Sequence, residues 1–221
     1  MNLTEQIEEF QKTHIPEIPK ETLKVMLSAT KRLQESGIVK NVLKKGDKMP
    51  PFTLPDAQGN PVSSSELLMN GPIVINFYRG GWCPYCNLEI RAFQNVLHRI
   101  EQLGARFVAI SPNLPDKVLT TVKEKELTFD VLSDVGNKIA RKFGLVFTLA
   151  EELRPIYKSF DIDLPAENGD DSYELPIPAT YVVDSKGIIA LSFADADYTK
   201  RLEPQETIKA LETIKNKYED S

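Results

Sequence analysis

The chain has 221 residues, 41% of them hydrophobic, with 27 basic against 32 acidic side chains and a net charge of −5. That length and apolar content suffice for one well-cored domain plus an appendage, and the acidic balance argues against a general nucleic-acid footprint. Apolar runs fall short of membrane-spanning length, and the start Met1-Asn2-Leu3-Thr4 lacks the basic and apolar regions of a signal peptide, so neither a nucleic acid nor a membrane is expected as a partner.

Residues 1–45 read as a helical extension. Leu3, Ile7 and Phe10 share one face of a first helix, which Pro16 and Pro19 interrupt; Leu23, Met26, Leu27, Thr30 and Leu33 share one face of a second, ending near Gly37. This stripe is expected to pack on the main domain, with a homodimer contact as the alternative. The main domain, residues 46–221, opens with a hairpin turned at Gly59-Asn60. Ser63 to Ser65 cap a short helical turn, and residues 73–78 make a β-branched and aromatic strand. After Gly80-Gly81, residues 87–102 set Leu88, Phe93, Val96, Leu97 and Ile100 at helical spacing, up to a stop at Gly104. Strand 106–111, helix 115–126, strand 129–132 and helix 137–143 follow, the last closed by Gly144. The pattern weakens over 145–175, where 163–171 reads as a mobile polar loop. Strand 180–184, a turn at Ser185-Lys186-Gly187 and strand 188–193 form a second hairpin, before a closing helix over 204–218 with Ile208, Leu211 and Ile214 inward. Such β–α alternation implies an α/β fold with a central sheet.

Both cysteines lie in Trp82-Cys83-Pro84-Tyr85-Cys86, between the 73–78 strand and the following helix. A helix start directs unpaired N–H groups and the positive end of the macrodipole at the sulfurs, which favours a thiolate, the reactive form. Pro84 early in the helix gives up an N–H that has no internal partner, and Trp82 is placed to shield one side of a sulfur. A structural disulfide here would close too small a loop to constrain the unfolded chain much, and a zinc site lacks ligands, because His14 and His98 have no partner spacing. Neither metal nor cofactor is expected. Having only these two cysteines suits a reducing cytoplasm.

The order of hairpin, strand, CxxC at a helix start, alternating units, proline, hairpin and terminal helix resembles the thioredoxin fold. More narrowly, Gly46-Asp47 through Leu54, Asp56 and Gly59, then Ile110-Ser111-Pro112, Leu132-Ser133-Asp134 and residues 181–187 resemble the alkyl hydroperoxide reductase/thiol-specific antioxidant branch of the peroxiredoxins. The resemblance runs from about Gly46 to Lys215. It implies a thioredoxin-like domain, a central mixed β-sheet flanked by helices, and a cis proline at Pro178 facing the active site. Peroxiredoxins usually show Pro-x-x-x-Thr-x-x-Cys at the peroxide-reducing cysteine. With Cys86 in that register Arg79 and Cys83 replace the proline and threonine, and with Cys83 the replacements are Asn76 and Gly80. The family's late-strand arginine falls at Pro178, leaving Arg79 to supply a guanidinium.

The reading is a thiol-dependent peroxidase. A thiolate reduces a hydroperoxide, Cys83 and Cys86 form a redox disulfide, and a thioredoxin-like or other thiol regenerates the pair. Accessibility favours Cys83 as the attacking thiol and the family register favours Cys86. A thiol–disulfide oxidoreductase acting on protein disulfides and a redox-sensing binding module are the alternatives. Glu89 and Arg91 read as a surface pair, with tuning of the sulfurs as the alternative, Asp134 as a helix cap, and Asp195, Asp197, Tyr198 and Arg201 as a solvated loop leading to a helix, with a place on the active-site side as the alternative.

Overall fold

The computed structural model describes residues 1–219. It opens with α1 (Leu3–His14) and α2 (Lys20–Glu35), separated by a 3-10 turn at Ile15–Glu17 that holds Pro16. Asn2 starts α1 through a capping box: its side chain accepts the Glu5 N–H at 2.8 Å, and the Glu5 carboxylate accepts the Asn2 N–H at 2.9 Å. Leu3 and Ile7 are buried, as their spacing predicts. In α2 the docked face is rotated from the expected stripe. Ala29 is buried with Val25 and Met26 beside it, whereas Leu27 is 62% exposed. Leu27 stands two residues, or about 200°, around the helix from Ala29.

The hairpin follows as β1 (Thr53–Pro55) and β2 (Pro61–Ser63), with Leu54 opposite Val62. Ser63 takes the N-cap position of α3 (Ser64–Met69) without a side-chain capping bond, and it is the Ser64 hydroxyl that accepts the Phe52 N–H at 2.9 Å. The alternating units are β3 (Ile73–Phe77), α4 (Pro84–Gln102), β4 (Arg106–Ser111), α5 (Pro115–Lys125), β5 (Asp130–Ser133) and α6 (Lys138–Lys142). Short elements then replace the expected irregular stretch: β6 (Val146–Thr148), α7 (Arg154–Ser159), α8 (Leu164–Asn168) and β7 (Glu174–Pro176). The polar segment around residue 165 is therefore a capped helix. Asp163 accepts the Ala166 N–H at 3.3 Å, Gly169 closes the helix at φ +80°, and Asn168 is buried. The chain finishes with β8 (Ala179–Val183), β9 (Ile189–Ala194) and α9 (Pro204–Glu219).

The main sheet has strand order β5-β4-β3-β8-β9, with β3, β4 and β5 parallel and β8 and β9 antiparallel to their neighbours. All of β3 is buried because both faces of the sheet are covered. Ile73, Ile75 and Phe77 face a core with Met49, Phe52, Ile139 and Phe143. Val74 and Tyr78 face the core built with α4 and α9, through Ile90, Phe93, Ile208 and Leu211. This central mixed sheet flanked by helices is the thioredoxin-like α/β fold. It sets the end of β3 against the start of α4, where the cysteines lie. Parallel sheets of this kind leave their ligand sites at the carboxyl ends of the strands.

Asp134 acts as the helix cap its position predicts. Its carboxylate accepts the N–H groups of Ile139 at 3.0 Å and Ala140 at 2.9 Å, at the start of α6, from a side chain that is nearly fully buried. Replacing Asp134 by Ala leaves those donors unpaired and is expected to cost about 2 kcal/mol. In urea denaturation the midpoint should fall with the slope unchanged; an unmoved midpoint would show that the cap contributes nothing.

Candidate active site

The strand-to-helix turn is held by close backbone approaches that only glycine permits. Gly80 has φ +151°, and a Cβ there would lie 2.3 Å from the Trp82 indole nitrogen; a Cβ on Gly81 would lie 2.2 Å from Thr121 Oγ1. The Gly81 N–H donates to Asn113 Oδ1 at 3.1 Å, and Asn87 Nδ2 donates to the Gly81 carbonyl at 2.9 Å. Asn113 in turn donates to Asn168 Oδ1 at 2.9 Å, so the turn is tied to α8. Cys83 is the N-cap residue of α4 and Pro84 its first residue, as the sequence predicts.

Both cysteines are free and buried, at 1% and 0% exposure for Cys83 and Cys86, so the accessibility expected for the first of the pair is not that of bulk solvent. Two guanidinium groups meet the sulfurs. Arg79 Nη1 is 4.0 Å from Cys83 Sγ, and Arg201 Nη2 is 3.4 Å from Cys86 Sγ. Burial alone would raise the Cys83 thiol. A hydrogen bond from Cys86, the charges of Arg79 and Arg201 and the Cys86 backbone N–H outweigh it and hold Cys83 at about 6. Burial, donation to Cys83 and the nearby Cys83 charge push Cys86 well above the ordinary thiol range.

The two arginines have contrasting supports. Arg79 is 3% exposed and donates to the Tyr157 hydroxyl. Its guanidinium lies over three rings, 4.7 Å from the centre of Tyr198, 5.1 Å from Trp82 and 5.6 Å from Tyr157. Arg201 forms an ion pair with Glu89 at 2.7 Å, both side chains 1% exposed. Burial raises the Glu89 carboxyl to about 7 against the pull of Arg201. Glu89 continues into the sheet, accepting from Thr180 Oγ1 at 3.4 Å, and Thr180 accepts from Asn76 Nδ2 at 3.0 Å.

Several expectations change here. Glu89 is a buried partner of Arg201 and not half of a surface pair with Arg91, because it sits one turn after Cys86 on the inward face of α4. Arg201 and Tyr198 belong to the site and not to a solvated loop, folded back against the cysteines after β9. Pro178 stands beside the site, lining a cavity of about 230 Å³ with Arg79, Tyr157 and Tyr198. Its peptide bond is trans, since none of the described residues follows a cis bond. This is the form X–Pro bonds favour by about 0.5–1 kcal/mol. Trp82 packs against Arg79 and Tyr157. Tyr157 and Asn113 left no mark in the motif, since each arrives from a separate segment. His14 and His98 are both exposed. Among the described residues, no group of three or more His, Cys, Asp or Glu is positioned to bind a metal.

Cys83, but not Cys86, lines a second cavity of about 410 Å³, together with Arg79, Trp82, Tyr157 and Tyr198. A nucleophilic sulfur, cations for a developing negative charge and a second thiol within hydrogen-bonding reach are the parts that two-electron reduction of an O–O bond requires.

The AhpC/TSA family model matches residues 45–192. Peroxiredoxin Q, chloroplastic, from Populus jackii is 30% identical over 200 residues, which is 87% of this chain and 81% of that protein. The peroxidoxin BcpB of Mycobacterium tuberculosis superposes with a TM-score of 0.61 at 23% identity, over 78% of this chain and 98% of that one. The reduced 2-Cys peroxiredoxin of Plasmodium vivax superposes with a TM-score of 0.61 at 14% identity, over 80% and 99%. The chain belongs to the AhpC/TSA family.

With Cys83 held at about 6, its thiolate should appear as pH rises through 6 and persist above it. The 240 nm thiolate absorbance of the reduced protein is expected to titrate there and to be lost in Cys83→Ser. A single transition near pH 9 would mean that Arg79 and Arg201 do not govern this sulfur.

Proposed function

We propose that Cys83 is the peroxide-reducing cysteine and Cys86 the resolving cysteine of a thiol-dependent peroxidase. The chain is an oxidoreductase whose substrate is a hydroperoxide and whose electrons come from a thiol. The observation that carries the assignment of roles is that Cys83, the N-cap residue of α4, is alone of the pair at the 410 Å³ cavity, where the charges of Arg79 and Arg201 also act to lower its thiol. The family register, which sets Cys86 at the conserved cysteine position, carries less weight than this charge distribution.

The Cys83 thiolate attacks the distal oxygen of ROOH and the O–O bond breaks. Sulfur is oxidised to the sulfenic acid, and the alkoxide leaves as ROH after taking the proton of the Cys86 thiol. The Cys86 thiolate then attacks the Cys83 sulfur, forming the disulfide and releasing hydroxide, which becomes water. An external dithiol returns two electrons and two protons. Arg79 and Arg201 stabilise the charge as it passes from sulfur to oxygen.

Support for a thioredoxin-like donor is chemical: the product is a disulfide at a helix start, reducible by thiol exchange at Cys83, the sulfur that lines the cavity. A cytoplasmic setting is supported by cysteine usage, and among the described residues no helix is long and apolar enough to cross a membrane. The division at about residue 45 is supported by the start of the family match at that position.

Cys83→Ser should lose the fast oxidation phase with hydrogen peroxide, read by fluorescence of Trp82, the only tryptophan. Cys86→Ser should keep that phase, halt at the sulfenic acid when no thiol is added, and form no intramolecular disulfide. Full steady-state activity in both variants would rule out a Cys83–Cys86 cycle, and a fast phase lost only in Cys86→Ser would reverse the roles.

A further inference from the structure

Arg79 belongs to two cavities. With Tyr157 and Tyr198 it lines both the 410 Å³ cavity of Cys83 and the 230 Å³ cavity beside Pro178, which Cys83 does not line. Burial works against its charge, and the groups that favour it are Tyr157, Cys83, Cys86 and Tyr198, none of them a carboxylate. Burial pushes both phenols and the Cys86 thiol up, so at neutral pH the counter-ion of Arg79 is the Cys83 thiolate. Arg201 differs, because Glu89 stays beside it in either redox state. Closing the Cys83–Cys86 disulfide therefore removes one negative charge and leaves Arg79, 3% exposed, with aromatic faces and a neutral hydroxyl. A buried cation without a counter-ion is strongly disfavoured. Arg79 Nε is also buried and has no acceptor among the described residues.

The 230 Å³ cavity can supply a replacement charge. Among the described residues that line it none is acidic; its cations are Arg79 and Arg32, and Arg32 is already paired with Glu152. Leu33, Phe147, Leu149 and Ile177 add apolar lining. A cavity of about 150 Å³ admits a benzene ring, so this one has room for a six-membered ring and a carboxylate. Resting on the Cys83–Cys86 cycle of the peroxidase reading, we propose that this cavity binds a small carboxylate with an apolar body in exchange for the Cys83 charge, taking it up when the pair is oxidised and releasing it when the pair is reduced. The reduction step balances. A dithiol gives up two electrons and two protons and becomes a disulfide. The protein disulfide takes both electrons and one proton, giving the Cys83 thiolate and the Cys86 thiol; the second proton enters solvent and the anion departs. The coupling is reciprocal, so the ligand favours the disulfide by the same factor by which oxidation tightens the ligand. A bound carboxylate thereby opposes regeneration of the thiolate.

The test titrates cyclohexanecarboxylate, with the neutral cyclohexanecarboxamide as control, into the full chain oxidised by one equivalent of hydrogen peroxide and into the chain reduced by dithiothreitol, read by calorimetry. The carboxylate is expected to bind the oxidised protein at least about tenfold more tightly than the reduced protein, and the carboxamide to show no such difference. At saturation it should shift the equilibrium with dithiothreitol toward the protein disulfide by the same ratio, about 30 mV for each tenfold. Thr148 lines the 230 Å³ cavity and is exposed, so Thr148→Glu should fold and weaken carboxylate binding about tenfold by like-charge repulsion. Glu17, exposed at the 410 Å³ cavity, should matter little, and Glu17→Gln should bind as the wild type does. Equal affinity in the two redox states, no binding to the oxidised protein, or a carboxamide that binds as the carboxylate does overturns the inference and leaves the peroxidase standing. Binding that Glu17→Gln strengthens and Thr148→Glu does not weaken places the anion over Cys83 and overturns it as well. If peroxide forms no Cys83–Cys86 disulfide, read by mass, the peroxidase cycle falls and the inference with it.

Discussion

A thiolate with almost no contact with solvent persists only if the protein supplies the positive charge that water would otherwise have screened. Moving an ion out of water carries a penalty of several kcal/mol even after the surroundings relax. Cys83, at 1% exposure, meets this requirement with Arg79, Arg201, the Cys86 thiol and the start of α4. The arginines are themselves buried and need partners. Arg79 finds them in the faces of three aromatic rings and the Tyr157 hydroxyl, and Arg201 in Glu89. When all are ionised, two anions and two cations sum to zero within a space closed to solvent. Replacing one member therefore leaves the others uncompensated, and effects of substitution in this group are not expected to add.

What was legible in the sequence was local. The strand, the glycine turn, Cys83 at the helix start and Pro84 at its first position fall within a dozen residues, and each has its own backbone reason to be there. The hairpins and the parallel units were equally readable, because their apolar spacing and turn residues agree. The ionic surroundings of the sulfurs were not. Tyr157 stands 78 residues from Arg79, and Arg201 stands 115 residues from Cys86. Arg201 was visible as a charged residue after the last strand, but its burial depends on how that segment folds back. Glu89 was misread because a carboxylate on a helix is ordinarily solvated, and only the location of Arg201 explains its burial. The segment after β6 carried its own signals, Asp163 before α8 and Gly169 after it, which a polar composition obscured. Pro178 shows the limit of analogy: its place beside the site holds, and its isomer does not.

The N-terminal helices change the character of a widely shared chemistry. The family match ends the argument for them at residue 45, yet their bend closes over the reactive sulfur. A cysteine at the start of a helix is ordinarily open on one side. Here that side is a chamber, and the same aromatic residues that hold Arg79 form part of its wall. Charge control and access thus share Tyr157 and Tyr198, so the conformation that readies the sulfur also shapes the path to it.

The attachment of α1 also orders events during the making of the protein. Its polar anchor, Glu203, emerges from the ribosome 199 residues after Thr4, which at ordinary rates of synthesis is a delay of roughly 10–40 s. Its apolar seat on α4 is available earlier, but the clamp on its first turn is not. The first helix to be made is thus clamped at its polar end only when synthesis has reached the residue before α9, and until then apolar packing alone holds it.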